Sequence, residues 1–143
     1  MRVSKTQVLQ KNKYQITNLK QASMNQNSNS KTYDLETRTL LFAQDVAVYC
    51  KNFSFNTINN EYIKQLIRSS GSVGANYIEA NESLSKKDFI MRIKICRKEA
   101  KESTYWLKLL SSNDLLNHDL AQKLIQESIE LKKIFSAIIE KSK

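Results

Sequence analysis

The chain has no proline, one histidine, one tryptophan, two cysteines and two glycines in 143 residues. With His118 alone, at an expected helix start, neither a histidine-based catalytic triad nor a multi-histidine metal centre can be assembled. Cys50 and Cys96 fall on different expected helices, both at apolar-face positions, and with His118 they lack any ligand spacing. They read as free buried thiols of a reduced compartment, and no metal or cofactor is expected. No stretch approaches the roughly 18 apolar residues of a membrane span. The start, MRVSKTQVLQKNK, lacks the apolar core of a secretory signal, so the expected location is cytoplasmic. No strand alternation is present, hence no Gly-rich phosphate loop can follow a strand.

What is there is helical periodicity. Both glycines, Gly71 and Gly74, sit in one run, RSSGSVGANYIE, whose flanks keep helical spacing. Each costs a helix roughly 1 kcal/mol against alanine. Close approach of a neighbouring helix offsets that cost, because Ser69, Ser70, Ser72 and Ala75 are small too. The run is therefore expected to be the packing centre of an all-α protein.

Length suits one domain with a real core. Residues 1–32 are polar and are expected to form a disordered basic tail, with residues 33–143 forming the folded domain. Residues 1–33 carry six basic side chains and no acid, so they supply +6 of the net +9 and leave the body mildly basic. Positive charge of this kind attracts polyanions or anionic membrane surfaces, unless it serves solubility alone. Since periodic structure begins only near Tyr33, Met24 is a candidate natural start. Peptides from Lys5 to Lys20 in the natively expressed protein would exclude that reading.

Four helices follow from the apolar spacing. The first is expected over about Asp34–Asn52, on Phe42, Ala43, Val46, Tyr49, Cys50 and Phe53. After a polar loop with Phe53 and Phe55 tucked against the bundle end, Asn59 or Asn60 caps the second. Its inner face carries Ile63, Leu66, Ile67, Ser70, Val73, Gly74 and Tyr77. Ser85 with Asp88 opens the third, Lys86 to about Leu110. Asn117 caps the fourth, with Asp119 near its positive end and Leu120, Leu124, Leu131, Ile134, Phe135 and Ile138 buried. Short loops make the expected fold an antiparallel up-and-down four-helix bundle.

On a wheel of about 100° per residue, the third helix gathers Phe89, Ile93, Cys96, Ala100, Thr104 and Leu107 as its core stripe. Lys87, Lys94, Lys98, Lys101 and Lys108 share one flank with Tyr105. Such a row can track a phosphate backbone while the aromatic ring stacks on a base; the competing reading is a solvated face. Met91, Ile95, Trp106 and Leu109 gather about 160° from the core stripe, where a monomer should meet water. They are the candidate interface of a homo-oligomer, unless Trp106 lies over a loop or the tail.

The segments QLIRSSGSVGANYIEANES (Gln65–Ser83) and SKKDFIMRIKICRKEAKESTYWLKLL (Ser85–Leu110) resemble the four-helix-bundle family of 23S rRNA intervening-sequence proteins. Arg68, Ser72, Asn76 and Glu79 fit its first motif, and Phe89, Ala100 and Glu102 its second. Ala80 stands where that family usually has glycine, so the second helix is expected to run on there. The family includes the accessory variability determinant of diversity-generating retroelements, a pentameric basic bundle that engages reverse transcriptase and nucleic acid. The resemblance thus implies a bundle and a homopentamer, and suggests RNA or DNA, or a nucleic-acid-processing protein, as partner.

At the motif positions Arg68, Asn76, Glu79 and Glu102 are expected to form a structural polar network, Arg68 with Glu102 or Glu79 and Asn76 satisfied across a helix or subunit contact. The alternative, a catalytic carboxylate pair, lacks a nearby nucleophile with a base, so no enzyme is expected. Three functions fit the sequence: a homo-oligomeric nucleic-acid-binding bundle, a protein-interaction scaffold or accessory subunit with incidental charge, and a protein held at a membrane surface by its tail.

Overall fold

A computed structural model describes residues 34–114 and 116–143, so the tail expectation lies outside the described residues. Helices α1 (Leu35–Cys50), α2 (Thr57–Asn81), α3 (Lys86–Ser111) and α4 (His118–Lys141) follow in order. Each packs on its neighbours in sequence, and α4 returns against α1, which gives the antiparallel up-and-down bundle the periodicity requires. The direction of the chain is visible in the cross-helix bonds. Asn81 at the end of α2 donates to Glu36 at the start of α1. Arg68 and Asn76 of α2 meet Glu102 and Arg92 of α3 in reverse order.

The caps explain where the helices start. Asp34 accepts from the Thr37 amide and Ser85 from the Asp88 amide. Helix α2 begins earlier than the sequence suggests, because Asn56, not Asn59 or Asn60, takes the cap by accepting from the Asn59 amide at 2.9 Å. Asn59 is instead buried and donates to the Ser54 carbonyl. Asn117 occupies the cap position of α4 but makes no side-chain cap bond; its amide group is drawn to Asp114 at 2.8 Å. As Ala80 implies, α2 continues to Asn81.

The core holds Phe42, Val46 and Tyr49 of α1, Leu66 and Val73 of α2, Ile93, Cys96, Ala100 and Leu107 of α3, and Leu124, Leu131 and Phe135 of α4. Three expectations need correction. Ile67 is exposed, because Ser69 and Ser70 take the inward positions of that turn. Phe55 is exposed too, whereas Phe53 packs edge-on against Tyr49 at 5.1 Å. In α4, Ile139 is buried while Ile134 and Ile138 are only partly so, and Ser128 joins the core.

Small hydroxyl residues link the layers. Ser103 donates to Ser69 across α2 and α3 at 3.0 Å, and Thr104 meets Ser128 across α3 and α4 at 2.6 Å. These bonds satisfy polar groups that burial would otherwise penalise. Gly74 gives α1 its close approach: a Cβ there would lie 2.8 Å from Thr39 Oγ1. Gly71 has no such neighbour within 4 Å, so close packing inside the bundle accounts for one glycine of the pair.

Candidate nucleic-acid and assembly faces

The buried residues of α3 are Ile93, Cys96, Glu99, Ala100, Ser103, Leu107 and Leu110. Their arc is turned about 30° from the apolar stripe that the wheel gives, toward α2. The reason is chemical: Glu99 and Ser103 are polar, yet α2 supplies a partner for each. Phe89 and Thr104 are correspondingly only half-buried.

That rotation moves Trp106. The wheel puts it on the far side of α3, but it stands at the α2–α3 seam, half-buried, 6.1 Å from the Tyr62 ring of α2. Its indole nitrogen donates to Glu102 Oε1 at 3.1 Å. The ring of Tyr105 meets it edge-on at 5.1 Å. Met91 is 49% exposed, with Ile95 and Leu109 half-buried on the same side of the helix.

Glu102 is the hub of the seam. The Arg68 guanidinium binds the same Oε1 that Trp106 does, and reaches Glu99 Oε2 at 3.6 Å. Burial works to raise the Glu102 carboxyl, but the bonds from Trp106 and Arg68 outweigh it and hold the group below its usual range. Arg68 is pushed up, chiefly by its bond to Glu102. Asn76 accepts from Arg92 at 3.2 Å and donates to the Ser72 carbonyl at 2.8 Å. Glu79 lies apart: it is exposed, and among the described residues Arg68 pairs with Glu99 and Glu102.

Sequence reasoning missed Glu99, Arg92 and Tyr62. Glu99 lies one turn before Glu102 and faces Arg68 with it, a spacing of three that was available as a signal. Tyr62 and Arg92 become legible only once α2 and α3 are set antiparallel.

On the other flank of α3, Lys87, Lys94, Lys98, Lys101 and Lys108 are all exposed, and Tyr105 is 58% exposed among them. Among the described residues none of these five lysines enters an ion pair. Elsewhere Arg38 is held by Glu127 at 2.7 Å, and Lys133 and Lys143 by acids three residues before them. The α3 row thus keeps its charge available.

Cys50 and Cys96 are free and buried, and burial pushes both thiols up to about 12. Among the described residues no group of three or more His, Cys, Asp or Glu side chains could hold a metal ion, and no helix is long and apolar enough to cross a membrane.

Among solved structures, the chain is similar to a protein of unknown function from the S23 ribosomal protein family of Bacteroides thetaiotaomicron VPI-5482. The two are 32% identical, with a TM-score of 0.65 over 73% of this chain and 96% of the other. Among curated proteins nothing matches. The family described as 23S rRNA-intervening sequence protein matches residues 31–137, which spans all of α1, α2 and α3 and most of α4. The chain belongs to the 23S rRNA-intervening sequence protein family.

Proposed function

We propose that the protein is a non-enzymatic homo-oligomer of the cytoplasm that binds RNA or DNA through the α3 lysine row. The observation that carries this reading is the row itself: five exposed cations, unpaired among the described residues, with an exposed tyrosine between them. Ammonium groups spaced along a helix neutralise successive phosphates, and Tyr105 offers a ring for a base to stack on. The family description, which names 23S rRNA, points the same way. Self-association is supported by the half-covered Met91, Ile95, Trp106 and Leu109; a pentamer is the assembly the family resemblance implies. The motif carboxylate of Glu102 serves structure instead of catalysis, since it is committed to Arg68 and Trp106.

Titration of a labelled single-stranded RNA against the protein at several salt concentrations tests the proposal. If five phosphates are contacted, log affinity falls with log salt at a slope of about −3.5. No binding at low salt contradicts it. A stoichiometric protein partner that survives nuclease treatment, with no RNA binding, would instead favour the scaffold reading.

A further inference from the structure

Four lysines of the α3 row stand seven residues apart: Lys87, Lys94, Lys101 and Lys108. Seven residues make nearly two turns, so the four form a stripe with a step of about 10.5 Å and a length of about 31 Å, drifting about 20° per step. The drift runs toward α4, because Thr104, which meets Ser128 of α4, lies on that side of the stripe. The acids of α3 lie on the other side. Glu99 and Glu102 face Arg68 of α2, and Asp88 shares their flank. Lys98, the fifth cation of the row, sits nearer that flank and acts on Glu102.

Positive charge continues across the α3–α4 groove. The contact of Thr104 with Ser128 sets the register, so the two turns of α3 before Thr104 run beside the two turns of α4 after Ser128. Arg97 lies about 20° round α3 from Thr104, and Lys132 about 40° round α4 from Ser128. Both are half-buried, and among the described residues neither enters an ion pair. Glu140, on which Arg97 acts, is already bonded to Lys143 at 2.8 Å, and Lys133 beside Lys132 is held by Glu130. Cations set in a half-covered groove are screened less than fully solvated ones.

We propose that this surface takes a single strand of RNA or DNA, whose backbone follows the lysine stripe and is gripped midway by Arg97 and Lys132. This rests on the nucleic-acid reading above and names the form of nucleic acid that the site accepts. A duplex turns once in about 34 Å, nearly the length of the stripe. Laid along it, a duplex carries each strand away from most of the four lysines, whereas a single strand has no fixed winding and follows the row. Tyr105 favours the same choice. It stands between Lys101 and Lys108 with its ring 58% exposed and backed edge-on by Trp106 at 5.1 Å. Stacking on that ring requires an unpaired base.

Titration of the full chain with a labelled strand of about 12 nucleotides, alone and annealed to its complement, tests this at several salt concentrations. The single strand should bind roughly tenfold or more tightly than the duplex. Arg97→Gln and Lys132→Gln should each lower the salt slope by about 0.7, while Arg97→Lys keeps it. Tyr105→Ala should weaken the single strand roughly tenfold and leave the slope unchanged. A wild type that binds neither form at low salt overturns the nucleic-acid reading and this proposal together. A duplex bound as tightly as the single strand overturns this proposal alone. So does a slope that Arg97→Gln and Lys132→Gln leave at the wild-type value.

Discussion

Thr39 Oγ1 occupies the space that a side chain at Gly74 would need. A Cβ built at residue 74 falls 2.8 Å from that oxygen and 3.2 Å from Thr39 Cβ, and Thr39 is itself buried. The hydroxyl donates to the Leu35 carbonyl at 2.7 Å, so it cannot swing away without losing a bond. This contact sets the distance between α1 and α2.

Gly74→Ala should therefore destabilise the fold. Overpacking costs about 1–3 kcal/mol, and the gain in helix propensity returns roughly 1 kcal/mol. A net loss of about 1 kcal/mol is expected in chemical denaturation. Adding Thr39→Ala should remove most of the clash, so the double variant should lose less than the two single losses added. Strict additivity would show that the two residues do not oppose each other.

Removing the Arg68 guanidinium leaves Glu99 and Glu102 facing each other with Glu99 buried. Arg68→Met should destabilise by roughly 1–2 kcal/mol, less than for a fully buried pair because the arginine is half-exposed. Adding Glu99→Gln to that background should recover part of the loss. Denaturation midpoints unaffected by Arg68→Met would mean the network carries no stability.

Glu102 links stability to pH. Its folded carboxyl sits below the ordinary value of 4.5, so the unfolded chain binds the proton more readily. The contribution is present above that ordinary value and is lost as pH falls through the depressed folded one. Wild type should exceed Glu102→Gln in stability at neutral pH, and the gap should close as the solution is acidified below 4.5. A gap that widens with acid contradicts the sign.

The thiols offer a separate check on the core. Cys50 and Cys96 are buried, and burial raises both to about 12, so neither forms thiolate readily at neutral pH. A thiol reagent should label both at once in denaturant and neither at an appreciable rate in the folded protein. Immediate labelling of one would put that cysteine outside the core.

The helices and their order were legible in the sequence because apolar residues recur at three and four along each of them. The inward side of each helix was less so. Periodicity weighs apolar side chains above all, and here Ser69, Glu99, Ser103 and Ser128 are inside while Ile67 and Ile78 are outside. Ser69 and Ser103 are admitted by bonding each other, and Glu99 by lying near Arg68. Such reciprocal satisfaction cannot be read from one helix at a time. Spacing places Gly74 but not Gly71 on the inner face of α2, while the residue that Gly74 makes room for, Thr39, is seen only once α1 is set against it. The lysine row is different again: exposed positions follow directly from the wheel, since no partner is needed to place them.

Affinity for one single-stranded RNA at low salt, compared between wild type and the Lys94→Glu, Lys98→Glu, Lys101→Glu triple variant, tests the central claim most directly. All three side chains are exposed, so the fold should be retained. The account predicts that the triple variant loses most of the binding together with most of the salt dependence. Equal affinity and an equal salt slope in the two proteins would contradict it.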